Sequence, residues 1–253
     1  MADRSPIEWT ETTWNPVTGC DKVSAGCDHC YAETLAKRLK AMGNPRYVNE
    51  FEVTVHPDLL ERPHSWRDSR LVFVNSMSDL FHPKVPSDYI RQVFDVMAAT
   101  PRHTYQVLTK RPKRVAKMAN TLKWPTNIWM GVSVELQETA WRIDSLRAVP
   151  AAVRFLSCEP LLGPLDLDLD GIHWVIAGGE SGAGHRRVDP EWVRTIRDQC
   201  VEAEVPFFFK QWGGHTPKAG GRLLDGQIHD ETPERHHEHA KAVTVTRRPA
   251  AVS

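Results

Sequence analysis

The sequence contains no apolar run approaching the length of a membrane span, and its polar first residues, Met1 to Glu8, hold no apolar core of the kind a secretory signal carries. It also has no net charge, since 32 Lys and Arg balance 32 Asp and Glu. The first two absences point away from a membrane and from export. The third removes any global pull toward nucleic acid or anionic lipid, so a basic binding face has to be local. Cysteine is scarce, five in 253 residues, and unevenly placed. Cys20, Cys27 and Cys30 fall in the spacing C-x6-C-x2-C, while Cys158 and Cys200 stand singly in apolar contexts and read as core residues. A disulfide within the cluster would leave one thiol over, so a metal or cluster suits the three better. Clustered free thiols also fit a reducing cytoplasm.

Soft thiolate ligands select zinc or iron-sulfur. A structural zinc wants four protein ligands and would need His29, His56 or another histidine to complete its tetrahedron. An iron-sulfur cube held by three cysteines keeps one iron without a protein ligand, whereas ordinary electron-transfer clusters are ligated at every corner. The three-cysteine cube therefore implies chemistry at the open iron.

Length, 41% hydrophobic content and 25% charge suit one large domain over 1–234. A tail over 235–253, with His236, His237 and His239 and no sustained apolar periodicity, is expected to be disordered. Residues 9–17 predict a first strand running into the cysteine loop, and 31–41 a helix stopped by Gly43-Asn44-Pro45. After a long connection with a helical turn near 58–61, strands are predicted at 71–75, 105–108, 128–134, 153–156, 173–177 and 206–209. Helices over 86–99, 112–122, 138–146 and 190–203 alternate with them. A small hairpin or turn is expected over 222–233. Strand-helix alternation is what a parallel sheet with crossover connections requires. Seven strands predict an α/β fold, a TIM-like (β/α) partial barrel with parallel strands.

Each of the six predicted strands after the first is followed by polar residues: Ser76 to Pro83, Thr109 to Pro112, Ser133 to Glu135, Ser157 to Pro160, Gly178 to Gly182 and Lys210 to Trp212. In a (β/α) barrel these carboxyl ends converge on one face, where active sites are built. Within them Glu159 and Glu180 read as proton relays, or as partners of Arg154, Arg186 or Arg187. Cys158 reads as a radical-quenching thiol or as a buried core residue. Lys110, Arg111, Lys113, Arg114 and Lys117 read equally as a solvated helix face or as phosphate contacts to a nucleic acid or nucleotide substrate. Trp9, Trp14 and Trp212 could stack on a base, although packing is the commoner role.

The cysteine loop, Ile7-Glu8-Trp9-Thr10, Thr13-Trp14-Asn15-Pro16, Ser157-Cys158-Glu159-Pro160-Leu161-Leu162 and Phe209-Lys210-Gln211-Trp212-Gly213 resemble an uncharacterised family of phage and bacterial three-cysteine proteins, from about Ser5 to Glu234. That family in turn resembles the radical S-adenosylmethionine (SAM) superfamily, in the branch that includes spore photoproduct lyase. The resemblance implies that Cys20, Cys27 and Cys30 hold a [4Fe-4S] cluster whose open iron takes the amino and carboxylate groups of SAM. His29 would be the aromatic residue before the last cysteine. It further implies that Ser78, Asp79, Thr109, Lys110 and Ser133 line the SAM pocket. Lys110 would pair with the SAM carboxylate, and Asp79 and the hydroxyls would hold its amino group or ribose. One electron from an external donor would then yield a 5'-deoxyadenosyl radical. Two features depart from the superfamily. Its usual spacing is C-x3-C-x2-C, and here Gly178-Gly179-Glu180 follows a late strand, which assigns it to the substrate side. The competing reading is a zinc-stabilised, non-catalytic protein that binds nucleic acid or mediates a phage-host interaction. The run of polar strand ends favours the enzyme.

Overall fold

Seven strands of the chain run in the same direction. In the computed structural model, which describes residues 5–235, β1 (Thr12–Trp14) is followed by β2 (Val17–Thr18), the cysteine loop, α1 (Tyr31–Ala41) and β3 (Thr54–Val55). Then come β4 (Leu71–Val74), α2 (Ser87–Ala99), β5 (Thr104–Thr109), α3 (Pro112–Met118), β6 (Ile128–Ser133), α4 (Arg142–Arg147), β7 (Val153–Cys158), β8 (Trp174–Gly178), α5 (Pro190–Glu202) and β9 (Phe207–Gln211). The main sheet has the order β1-β4-β5-β6-β7-β8-β9 with parallel pairing throughout, and it forms a half-barrel. β2 and β3 pair antiparallel beside it. Among the described residues no helix is long and apolar enough to cross a membrane.

Most elements lie where periodicity puts them, and the departures have local causes. The expected first strand is broken into β1 and β2 at Asn15-Pro16, where proline offers no N–H to a ladder and the Val17 amide turns to the Asn75 side chain at 3.3 Å. The helix expected over 112–122 ends at Met118 and tightens into a 3-10 turn, Ala119–Thr121. There the Thr121 hydroxyl and the Trp124 indole take up the carbonyls of Met118 and Ala119. The helix expected over 138–146 is a 3-10 turn, Gln137–Thr139, followed by α4. After β9 the chain turns back through a bridge between Leu224 and Gln227 and lays Asp230 antiparallel against Phe208, which covers the outer edge of β9. The expectation of disorder concerns a tail that, beyond Arg235, lies outside the described residues.

Alternation sorts the strand residues into two faces. Val72, Val74, Val107, Val132, Leu156, Val175 and Phe209 belong to the large core shared with the helices. Phe73, Trp129, Phe155, Trp174 and Phe208, with Trp9, form a separate cluster on the concave face. Trp174 is its centre, with edge contacts to Trp9, Trp129 and Phe208 at 6.4, 6.1 and 6.1 Å between ring centroids. Gly131 makes room for it, since a Cβ there would lie 2.4 Å from the Phe155 ring. This aromatic plug closes the amino-terminal end of the half-barrel, and the site is therefore confined to the other end.

Candidate functional site

Above the plug, the inward-facing positions change from aromatic to small and then to charged. Along β6 and just past its end they run Trp129, Gly131, Ser133, Glu135; along β7 and just past it Phe155, Ser157, Glu159; along β8 and just past it Ile176, Gly178, Glu180. Lys110, directly after β5, lies on the same face and pairs with Glu135 at 3.3 Å, and Lys210 of β9 pairs with Glu159 at 3.0 Å. The Ser133 side chain makes no hydrogen bond among the described residues, although the residue is 1% exposed.

The cysteine loop is fastened across this mouth. It leaves β2 at Gly19, whose amide donates to the Met77 carbonyl at 2.9 Å and which bridges in parallel to Ser78. The Ser78 hydroxyl returns a bond to the Val17 carbonyl at 2.9 Å. After β4, the His82 ring meets the Asp21 carboxylate at 3.0 Å, and the Ser76 carbonyl accepts from the Tyr31 hydroxyl. After β5, Arg111 donates to the Cys20 sulfur at 3.4 Å and to the Asp21 carbonyl at 2.9 Å. After β6, Glu135 accepts from the Ser24 hydroxyl at 2.6 Å. After β8, Glu180 binds the His29 ring at 2.9 Å, and Arg186 donates to the Ala25 carbonyl at 2.9 Å. The ends of four strands thus hold one loop of about a dozen residues. α1 starts directly behind it, with Cys30 at the N-cap position and its sulfur unused as a cap.

Three carboxylates organise these contacts. Asp79, 5% exposed, accepts from the Thr109 hydroxyl at 2.8 Å, the Phe81 amide at 2.9 Å, the Lys110 amide at 3.1 Å and Arg111 at 2.9 Å. Four donors fill a carboxylate's acceptor capacity, so Asp79 aims Arg111 at the cysteine loop. Glu135, 1% exposed, takes Ser24, Lys110 and, at 2.6 Å, Arg142. Burial opposes its ionisation, yet Lys110, Arg142 and Ser24 together hold its carboxyl below its ordinary value. Gly26 lies flat on it, since a Cβ at Gly26 would come 2.4 Å from Glu135 Oε1. In the sequence Glu135 stands among the strand-end polar residues with no role of its own. Its signal was its place two residues beyond Ser133 on the same inward face.

Glu180 is the third, with three bonds from Arg186, at 2.8 Å from the backbone amide, 3.0 Å from Nε and 2.6 Å from Nη2, besides His29. Burial disfavours its charge, but these bonds bring its carboxyl down from 4.5 to about 2. A depressed folded-state value adds stability that is full above about pH 4.5 and lost as pH falls toward about 2. The Tm difference between the wild-type chain and Glu180→Gln is therefore expected to be constant near neutrality and to close over that acid window. A difference that stays constant down to the foot of the window would contradict the assignment.

Cys20, Cys27 and Cys30 are free and half-buried. Burial, reinforced by the Asp79 charge, pushes the Cys20 thiol up to about 11, with Arg111 opposing the shift. Among the described residues no three His, Cys, Asp or Glu side chains gather as a single ion would draw them. A cube binds each thiolate to a different iron and does not ask for that gathering. The donor set, three soft thiols on one loop with a guanidinium against one sulfur, fits such a cluster in its chemistry.

Of the residues singled out from sequence, Ser78, Asp79, Thr109, Lys110, Ser133, Glu159 and Glu180 all lie at the mouth. Cys158 does not. β7 extends to Cys158, and its register turns this side chain, like Leu156, into the helix-facing core, where burial and the nearby Cys200 thiol push its own thiol far up. Trp9 and Trp14 are core residues, and the Trp212 indole is taken by the Leu223 carbonyl at 2.8 Å.

The family model described as "Protein of unknown function (DUF5131)" matches residues 4–233. No curated protein matches. Among solved structures, the chain is similar to a cysteine-to-serine mutant of spore photoproduct lyase, with a TM-score of 0.51 and 14% identity over 79% of this chain and 63% of that one. It is also similar to spore photoproduct lyase complexed with dinucleoside spore photoproduct, with a TM-score of 0.47 and 13% identity over 78% of this chain and 64% of that one. The chain thus spans less than two thirds of the length of these structures. The first likeness shows the shared half-barrel fold.

Proposed function

The chain belongs to the DUF5131 family, and from the geometry of its half-barrel mouth we propose that it is a radical SAM-like iron-sulfur enzyme acting on a nucleic acid or nucleotide. The observation that carries this reading is the loop with three free thiols, fastened to the carboxyl ends of β4, β5, β6 and β8 across the charged mouth that lies above the aromatic cluster. Cys20, Cys27 and Cys30 would hold a [4Fe-4S] cluster with one iron left for SAM. A cluster held there would make one-electron reductive chemistry on the SAM sulfonium available, with the electron coming from an external donor.

The chain's own residues bind, orient and exclude. Lys110, held inward by Glu135, pairs with the SAM carboxylate. The Ser133 hydroxyl, unpartnered among the described residues, serves the amino group or ribose. Thr109, Ser78 and Asp79 act at one remove. The two hydroxyls bond Asp79 and the Val17 carbonyl, and Asp79 holds Arg111 against Cys20. Glu159 and Lys210 stand on the β7–β9 side as the polar groups nearest a substrate. The plug keeps water from entering beneath the reacting groups. Five free cysteines support a reducing compartment such as the cytoplasm.

Anaerobic purification tests the reading. The expected protein is brown, carries about four irons, as one cube requires, loses visible absorbance with dithionite and releases 5'-deoxyadenosine when SAM is added. A colourless protein with one tightly held zinc would sink it.

A further inference from the structure

Outside the mouth, on the β5–β6 rim, lies a groove of about 410 Å³. Lys110, Arg111, Lys113, Arg114, Lys117 and Trp141 line it, and no carboxylate does. In a chain with equal numbers of acidic and basic residues, this concentration of one sign is a local feature. The cations divide by what they are bonded to. Lys110 and Arg111 face Glu135, Asp79 and the cysteine loop, and Arg114 is spent on the carbonyls of His82 and Val85. Lys113 and Lys117 are exposed and one helical turn apart on α3, so their side chains point the same way. Among the described residues Lys117 has no partner, and Lys113 only the Trp141 ring, its Nζ 4.7 Å from the centroid. Trp141 is a large aromatic residue left 44% exposed in a concave place.

Two ammonium groups in a row that no carboxylate neutralises, one of them lying over a partly exposed indole, in a groove without carboxylates, match what an unpaired nucleic-acid strand offers. Its phosphates repeat along one edge and its bases present flat faces. An acidic peptide would use the cations and leave the indole without purpose. We propose that the Lys113–Lys117–Trp141 groove binds a single-stranded segment of nucleic acid, with Lys113 and Lys117 on phosphates and Trp141 stacked on a base. Lys110 and Arg111 line the groove and also reach the mouth, so a strand lying in the groove is led to the mouth. This last point rests on the functional reading above, whereas binding in the groove does not.

The test is fluorescence anisotropy of a labelled short oligothymidylate with the full chain, across a salt series. The expected result is binding whose salt slope falls by about two in the double variant K113E/K117E, one for each phosphate no longer neutralised, with affinity down at least tenfold. In W141A, affinity is expected to fall about five- to a hundredfold, the loss of one stacked base, at an unchanged salt slope. Matching oligouridylate and duplex arms identify the ligand, and the duplex is expected to bind more weakly than either single strand. Far-UV circular dichroism checks that the three exposed positions leave the fold intact. Binding that is unaltered in K113E/K117E, absent at low salt, or displaced equally well by polyglutamate overturns the proposal. Iron content and 5'-deoxyadenosine release, read on the same samples, are expected to be unchanged in K113E/K117E. Oligonucleotide binding by a protein without iron would overturn the enzymatic reading and leave the groove standing.

Discussion

Glu135→Ala is expected to lower the unfolding free energy by about 3–5 kcal/mol, the cost of removing one partner from a buried charged pair. Arg142 is 3% exposed and gives Nη1 to Glu135 at 2.6 Å and to the Ser133 carbonyl at 2.7 Å, while its Nε is already without a partner. With the carboxylate gone, a buried guanidinium keeps a single carbonyl. Lys110 loses its holder and Ser24 its acceptor, so the cysteine loop comes loose from β6 in the same step. Domains have about 5–15 kcal/mol to lose, so the variant should be near its limit. Urea unfolding reads the effect as a fall in midpoint at unchanged slope. Glu135→Gln keeps the shape and one acceptor, and its expected cost is about 1.5–3 kcal/mol, that of a hydrogen bond to a charged group. If the alanine variant lost less than about 1 kcal/mol, within the range of an exposed pair, Arg142 would have found water and Glu135 would not be the hub.

Gly19→Ala should be almost as damaging, for a different reason. Gly19 has φ +83°, and a Cβ there would stand 2.1 Å from the Glu52 carbonyl oxygen and 2.6 Å from that of Phe51. Both obstacles are backbone and cannot rotate aside. The left-handed conformation alone costs a residue with a Cβ about 1–2 kcal/mol, and the overpacking adds about 1–3 kcal/mol. Gly43 supplies the control, because its φ is +74° and nothing lies within 4 Å of a Cβ there. Gly43→Ala should therefore show the conformational cost by itself. The difference between the two variants in urea unfolding measures the clash, and values within about 0.5 kcal/mol of each other, the usual scatter between independent sites, would refute it. Since Gly19 adjoins Cys20, whose amide bonds the Phe51 carbonyl at 3.1 Å, the strain should also reduce iron uptake on reconstitution.

The sequence by itself determined the strands and helices of the main sheet and their order, though not β3 or the break between β1 and β2. α1 spans Tyr31–Ala41 as its apolar spacing and the Gly43-Asn44-Pro45 stop imply, and the buried runs at β4, β5, β6 and β8 are short and β-branched as buried parallel strands are. It also marked the polar strand ends and the three-thiol loop, because such signals lie within a few residues of one another. Only the tertiary structure decided which of those polar groups meet. Glu135 finds Ser24 across 111 positions and Glu180 finds His29 across 151, distances over which no local period carries information. It decided direction as well. Because side chains alternate along β7, carrying the strand on to Cys158 turned that thiol into the core and left Ser157 and Glu159 facing the mouth, an outcome set by strand register and packing.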